Sequence, residues 1–124
     1  MSVVINNLTV DCRDPKALAE FWTTALGWQV VDESEDGVMI APFAKHHPGV
    51  FPVYFQENPD PKVVKNRWHF DLAPVDQAAE VARLESLGAR PADIGQGDVA
   101  WVVMADVEGN EFCVLRSRLE EAAG

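Results

Sequence analysis

Cysteine, basic residues and long apolar runs are all scarce in this chain. It holds two cysteines, and its ten Lys plus Arg residues stand against twenty Asp plus Glu, which gives a formal net charge of −10 at pH 7. So acidic a chain argues against nucleic acid, because a phosphate backbone is bound by a cationic surface. No apolar run approaches the roughly 20 residues that span a bilayer. We therefore expect neither nucleic acid nor a membrane as a partner.

The scarcity of cysteine indicates the cellular compartment, and the length of the chain indicates the number of domains. Cys12 and Cys113 are too few for a disulfide framework, and they suit a reducing compartment. The first residues lack the basic and apolar segments of a secretory signal, so the expected location is the cytoplasm. At 124 residues, 48% of them hydrophobic, the chain is long enough to form one globular domain with its own core.

One pattern of strand, capped helix and Leu-Gly stop occurs twice along the chain. In the first copy Asp14 is a typical N-cap residue, Pro15 takes the first helical position and Gly27 ends the helix. In the second copy Asp76 begins a helix that ends at Gly88, and the spacing repeats to within one residue. The sequence therefore predicts a duplicated module.

Three strand-like runs bounded by turns follow each predicted helix. One helix covers only one face of a four-stranded sheet, so each module keeps an open face, and we expect the open faces to form a cup. The predicted fold is α+β, with tandem βαβββ modules forming a cupped eight-stranded mixed sheet and the helices on its outer face. The strands expected after the helices are residues 28–33, 38–43 and 51–56, then 90–94, 99–105 and 111–117.

We expect the two modules to form a single domain over residues 1–124. Pro59, Pro61 and the charges around them are typical of a linker. The predicted division is module one at about 1–57, the linker at about 58–66, module two at about 67–118 and a short carboxy-terminal tail at 119–124.

Alternation along the predicted strands indicates which side chains point away from the helices and into the cup. On the last strand Phe112 and Val114 would face the helix, which leaves Glu111 and Cys113 on the open side. A polar concave face of this kind is typical of a ligand site, and we expect it to bind a small molecule. The predicted ligand-binding residues are Asn7, Thr9, Asp11, Tyr54, Gln56, Glu111, Cys113 and Trp101, with His69 and Asp71 on the same face.

Trp101 enters this set as a candidate wall for a planar ligand. Its side of the sheet depends on where the strand begins, and packing in the core or in a dimer is the alternative. His46 and His47 precede Pro48 in a predicted turn, so we expect them to be solvated loop residues rather than ligands.

Several segments together resemble the vicinal oxygen chelate superfamily, and within it the small glyoxalase-like and bleomycin resistance-like domains common in actinobacteria. The tandem βαβββ pattern, the two Leu-Gly helix ends and the Gly109-Asn110 turn carry the resemblance, which covers nearly the whole chain. It implies the cupped fold, and it implies a homodimer, because members commonly form one. The segments most similar to that group are residues 11–15, 55–57, 65–72 and 109–113.

Metal-dependent members of that superfamily bind a divalent ion with side chains from several strands. Carried onto this chain, the resemblance places those positions at Asn7, Tyr54, His69 and Cys113. Only His69 retains the ligand that the resemblance implies. An Asn amide and a Tyr phenol bind metals weakly, and one imidazole plus one thiol is too few for a tight site on protein groups alone. We therefore predict a metal-independent domain with no metal ligands and no cofactor.

Besides simple ligand binding without a metal, two kinds of chemistry remain open for this site, one with a metal ion and one without. A displaced site of His69, Cys113 and either Asp71 or Asp11 is conceivable for zinc, and would suit a metal-dependent lyase or dioxygenase of the glyoxalase I or extradiol type. Without a metal, His69 and Asp71 are the predicted catalytic residues of an uncharacterised lyase or isomerase, with Glu111 as a second candidate carboxylate. The predicted role is sequestration or such a reaction, and whether the chain is an enzyme stays open.

Overall fold

The computed structural model describes residues 2–45 and 49–116 of the chain. The predicted turn at His46 and His47 and the predicted tail at 119–124 lie outside these residues. The chain divides into two compact units, Met1–Pro61 and Lys62–Gly124, which we call module one and module two. In the described part of the chain no helix is both long and apolar enough to cross a membrane.

Module one contains one helix and one four-stranded mixed sheet. Its elements are β1 (Leu8–Cys12), α1 (Pro15–Leu26), β2 (Gln29–Glu33), β3 (Gly37–Ala41) and β4 (Val53–Glu57). The strands lie in the order β1-β4-β3-β2. The first pair, β1 with β4, is parallel, and the other neighbours are antiparallel.

Module two repeats this plan with shorter strands. Its elements are β5 (Asp71–Leu72), α2 (Gln77–Ser86), β6 (Arg90–Pro91), β7 (Val102–Ala105) and β8 (Glu111–Val114). The order β5-β8-β7-β6, with β5 parallel to β8, matches that of module one. The predicted pair of βαβββ modules is therefore confirmed.

Several strands are shorter than the predicted runs, and prolines lie at three of the ends. The strand β3 stops before Pro42, β4 starts after Pro52, and β6 stops at Pro91, because proline lacks the N–H that a sheet ladder needs. The strand β7 starts at Val102 rather than at 99. The apolar alternation in the sequence runs on through these prolines. It therefore predicts strands that are too long, because the pattern of side chains does not reflect the absence of a backbone N–H.

Both helices begin where the sequence predicts. The Asp14 carboxylate accepts the Ala17 N–H at 3.1 Å, and the Asp76 carboxylate accepts the Ala79 N–H at 3.0 Å. Each bond satisfies an N–H that the first helical turn leaves without a partner. The first helix ends at Gly27, whose φ of 70° suits a residue without a Cβ.

Each helix covers one face of its own sheet. In module one, Leu18, Phe21 and Trp22 of α1 are buried with Val53 and Phe55 of β4, and the two aromatic rings of the helix meet edge to face at 5.1 Å. In module two α2 packs on β8. The buried apolar side chains of module two include Leu84, Val103, Met104, Phe112 and Val114.

Candidate functional site

The open face of module one carries five of the predicted ligand residues. In the parallel ladder Thr9 lies beside Tyr54 and Asp11 lies beside Gln56, so these side chains project from the same side. The Asn7 amide extends the row by donating to the Thr9 hydroxyl at 2.9 Å. The intervening residues of β4 are buried, which confirms the predicted alternation along that strand.

Tyr54 is held close to the backbone of the neighbouring strand. A Cβ added to Gly37 would lie 2.4 Å from both Cζ and the hydroxyl oxygen of Tyr54, and 2.5 Å from the carbonyl oxygen of Phe55. Only a glycine fits under the phenol ring, so Gly37 sets the position of Tyr54 on the open face.

An apolar pocket adjoins this polar row. Met39 is the direct cross-strand partner of Tyr54, and it forms part of a pocket of about 190 Å³. Among the described residues Lys45 is the one charged residue of the lining. The described lining residues are Val31, Met39, Ala41, Pro42, Phe43, Ala44, Lys45, Val50 and Pro52.

Sequence reasoning missed this pocket, although a signal was present. The sequence pattern predicts Phe43 and Phe51 in strands, where an apolar side chain needs no further explanation. In the structure both lie in the connection between β3 and β4, and they are 50% and 41% exposed. Large exposed apolar residues in a connecting segment are a recognised sign of a binding surface.

The predicted site residues of module two form a compact cluster. Asp71 is the parallel partner of Cys113, and the Phe70 carbonyl accepts the Cys113 N–H at 2.9 Å. The chain is therefore extended here, which places His69 and Asp71 on one side. The His69 Nδ1 lies 3.0 Å from the Asp71 Oδ1, and the structure brings together the three groups His69, Asp71 and Cys113.

Cys113 is a buried thiol beside a carboxylate. It is 7% exposed, and burial raises its pKa. The charge of Asp71 and the hydrogen bond between the two side chains raise the pKa further, against an opposing effect of Lys65. The thiol is therefore protonated at neutral pH and is a poor nucleophile as it stands.

Glu111 shares the open side of β8 with Cys113, yet both of its oxygens are already bonded. Oε1 accepts the Asn66 N–H and Oε2 accepts the Lys62 ammonium, each at 2.9 Å. Burial opposes ionisation of this carboxyl group, but these hydrogen bonds together lower its pKa. Glu111 thus fastens residues 62–66, the second half of the predicted linker, to β8.

Trp101 lies just before β7 and is 43% exposed. Because it precedes the strand, the alternation that would give it a side of the sheet does not extend to it. Its role in ligand binding stays a prediction.

The side chains at the positions of the superfamily's ion do not fit a hard divalent ion such as Mn²⁺ or Mg²⁺. Such ions prefer carboxylate, carbonyl and water oxygens. The positions instead carry an amide bonded to Thr9, a phenol, an imidazole and a thiol, at Asn7, Tyr54, His69 and Cys113. Among the residues that the structure describes, one group of His, Cys, Asp or Glu is close enough to share an ion, and it is the cluster of module two.

Comparison with known proteins gives a family and a set of similar folds. A model of the family described as a glyoxalase-like domain matches residues 7–115. No curated protein matches the chain. At 13% identity, a mutant of the fosfomycin resistance protein FosX from Listeria monocytogenes, solved with Mn(II) and 1S,2S-dihydroxypropylphosphonic acid, has a TM-score of 0.68 over 98% of this chain and 95% of its own.

Two further solved structures have similar folds. TnmS3, an antibiotic binding protein from Streptomyces sp. CB03234, is 16% identical with a TM-score of 0.61, covering 95% of this chain and 99% of its own. A bleomycin resistance determinant encoded on the transposon Tn5 is 15% identical with a TM-score of 0.59, covering 94% of this chain and 100% of its own.

Proposed function

The chain belongs to the glyoxalase-like domain family, and from this premise we propose that it captures a small organic molecule on the open face of module one, without a metal ion. The observation that carries the proposal is the apolar pocket beside the polar row of Thr9, Asp11, Tyr54 and Gln56. A mostly apolar concavity with a few polar groups at its side is typical of small-molecule sites.

The size of the pocket indicates what part of a ligand it holds. At about 190 Å³ it is somewhat larger than the roughly 150 Å³ cavity that accommodates benzene. A single ring or a short branched chain fills it. A larger ligand would extend from Met39 across Tyr54 and form hydrogen bonds with the amides and hydroxyls of the polar row.

Two observations favour capture over metal-dependent chemistry. The donors on the open face of module one are mainly amides and hydroxyls, which are weak ligands for an ion but suitable hydrogen-bond partners for an organic molecule. Two proteins of similar fold are described as an antibiotic binding protein and a bleomycin resistance determinant. We therefore propose that the protein sequesters its small-molecule ligand rather than converting it.

The substitution Ala41→Phe tests the proposal, because it fills the pocket from the end of β3. Native mass spectrometry in the presence of EDTA, with a panel of single-ring compounds and antibiotics that includes bleomycin, should show at least one ligand retained unmodified by the unaltered protein. Ala41→Phe should weaken that binding by at least about tenfold, the loss of one well-packed apolar group.

Ala78→Phe is the matched control, because it adds the same ring to an exposed position of α2. It should leave binding unchanged. Release of a chemically altered product would contradict sequestration, and equal binding by the Ala41→Phe and unaltered proteins would contradict the pocket as the site.

A second candidate function is acid–base catalysis by module two. The 3.0 Å contact of the His69 Nδ1 with the Asp71 Oδ1 favours it, since a carboxylate orients an imidazole and stabilises its protonated form. If a panel compound is turned over, His69→Gln and Asp71→Asn should each reduce kcat by about 10²-fold or more while the circular dichroism spectrum is preserved. Turnover that survives both substitutions would exclude this pair.

The proposal includes a cytoplasmic location and a homodimer. Neither cysteine forms a disulfide, as suits a reducing compartment. The homodimer is proposed because members of the superfamily commonly form one.

A further inference from the structure

We infer that the molecule captured by module one is an organic ammonium compound, whose ring or short branched chain fills the apolar pocket and whose charge is bound by Asp32. This inference rests on the proposed function and names the chemical class of its ligand. It also assigns a role to Asp32, which is not among the residues that the sequence predicts on the open face.

A β-bulge brings Asp32 to the open face of the module-one sheet. The register of β2 against β3 shifts between Val30 and Asp32, so Val31 is an extra residue on β2. Asp32 is then paired with Met39, and directly paired residues of neighbouring strands project from the same side. Simple alternation would put Val31 and Asp32 on opposite sides. The bulge instead leaves both beside the pocket, since Val31 and Met39 belong to its lining.

The Asp32 carboxylate is close enough to the pocket for one small molecule to contact both. The Cβ atoms of directly paired residues on antiparallel strands are about 4.5 to 5.5 Å apart, and this spacing separates Asp32 from Met39. A compound with one ring in the pocket and a chain of about two carbons before its nitrogen therefore reaches the carboxylate.

The charge of Asp32 is available to a ligand. Asp32 is exposed, and none of the ion pairs formed among residues 2–45 and 49–116 involves it. An ammonium group has donors only, and a carboxylate has acceptors only, so the two form charge-assisted hydrogen bonds. Its neighbours in the same row of the sheet, Met39 and Tyr54, carry no countercharge of their own.

Lys45 determines which way round the ligand lies. The pocket lining runs from Met39 within β3 to Ala41 at the end of that strand, and on to Lys45 in the connection to β4. Because Asp32 faces Met39, negative charge lies beside the sheet and positive charge lies in the connecting segment. An ammonium group is attracted by Asp32 and repelled by Lys45. The same field disfavours a carboxylate beside Met39.

Solvent limits how much this ion pair contributes to affinity. Exposed pairs of opposite charge change an equilibrium constant by roughly twofold to fivefold. The apolar pocket therefore supplies most of the binding, and Asp32 selects the cationic compound among ligands that fill the pocket equally well.

Three compounds that share one ring and differ in charge test the inference. At neutral pH phenethylamine is cationic, phenethyl alcohol is neutral and phenylacetate is anionic. Chemical-shift titrations of the full chain at low ionic strength give their dissociation constants. We expect phenethylamine to bind at least about twofold more tightly than phenethyl alcohol and phenylacetate to bind most weakly. Added sodium chloride should reduce the preference for the amine.

Asp32→Asn should abolish the preference for the amine and leave the affinity for phenethyl alcohol unchanged, because it removes the charge and keeps the shape of the side chain. Glu33→Gln is the matched control. Glu33 is the next residue of β2 and is also exposed, but it is paired with the buried Val38 and so projects from the other side of the sheet. It should retain the preference.

Equal affinities for the amine and the alcohol, a preference that survives Asp32→Asn, or the same loss in Glu33→Gln would each overturn the inference. Tightest binding of phenylacetate would overturn it as well, since Lys45 would then select the ligand. Binding of all three compounds without preference, if Ala41→Phe removes it, overturns this inference alone and leaves capture in the pocket standing. If none of the three binds at a site that Ala41→Phe blocks, both the inference and the proposed pocket are contradicted.

Discussion

Gly37 and Tyr54 show how a single position without a side chain shapes the open face of module one. The phenol ring of Tyr54 occupies the space that a Cβ of residue 37 would take, and the Phe55 carbonyl closes the same space from the backbone. The ring is thereby directed over Gly37, on the face of the sheet that Tyr54 shares with its cross-strand partner Met39. A residue that makes no polar contact itself thus positions a predicted ligand residue.

Gly37→Ala should destabilise the protein by about 1 to 3 kcal/mol, the usual range for overpacking a well-filled site. The contact with the Phe55 carbonyl is with backbone and cannot be relieved by a side-chain rotation. Urea unfolding measures the loss. Tyr54→Phe, which removes only the hydroxyl, is the comparison and should cost less than about 1 kcal/mol. Equal stability of Gly37→Ala and the unaltered protein would contradict the close approach.

At the scale of elements, Glu111 connects the start of module two to its last strand. Its carboxylate bonds the Asn66 N–H and the Lys62 ammonium, and that ammonium also donates to the Val64 carbonyl at 2.6 Å. The side chains of Lys62 and Glu111 are 20% and 14% exposed, so solvent screens this pair less than an open surface pair. Residues 62–66 are therefore part of the fold of module two.

Glu111→Gln should lower the free energy of unfolding at pH 7 by about 1 to 2 kcal/mol, as expected for a hydrogen-bonded charge. The bonds hold the folded pKa of Glu111 below its ordinary value of 4.5. This stabilisation is therefore complete above that value and is lost as the pH falls through the lowered one. Urea unfolding at several pH values should show the two proteins converging in acid.

Glu85→Gln is the matched control, since Glu85 is exposed on α2, and it should change stability by less than about 0.5 kcal/mol. A difference between the Glu111→Gln and unaltered proteins that is constant down to the acid transition would contradict the assigned role of the carboxylate.

The sequence predicts those elements well whose signals are local. The helix starts depend on Asp14, Pro15 and Asp76. The two aspartates accept bonds from N–H groups three positions away, and Pro15 has a φ that suits the first helical position. Strand ends are predicted less well, since Pro42 and Pro52 interrupt pairing without interrupting the apolar pattern. The sequence does not predict the pocket of module one for the same reason, because the apolar pattern extends the predicted strand through Phe43, whereas β3 ends at Ala41.

At the scale of the whole molecule, the sequence predicts two modules, because the repeat of helix start and Leu-Gly stop at a constant spacing can be seen without knowing how the chain folds. The cluster of His69, Asp71 and Cys113 depends on the register of β5 against β8, and residues more than forty positions apart acquire that register only on folding. The alternation predicts Glu111 on the open side of β8, yet it cannot reveal that Lys62 and Asn66 already bond its carboxylate.

The net charge of −10 acts over the whole surface rather than at one site. A field of this sign raises the local concentration of cations. It therefore favours the approach of a cationic organic molecule to the pocket of module one. This effect weakens as salt is added, since the screening length is about 8 Å at physiological ionic strength.

The burial of both thiols has a practical consequence for chemical labelling. Cys12 is 4% exposed and Cys113 is 7% exposed, and the raised pKa of Cys113 keeps its reactive thiolate form scarce at neutral pH. A cysteine introduced on the surface would therefore react with a maleimide dye long before either native thiol. Single-site fluorophores can be attached to this protein without first removing the cysteines that it already has.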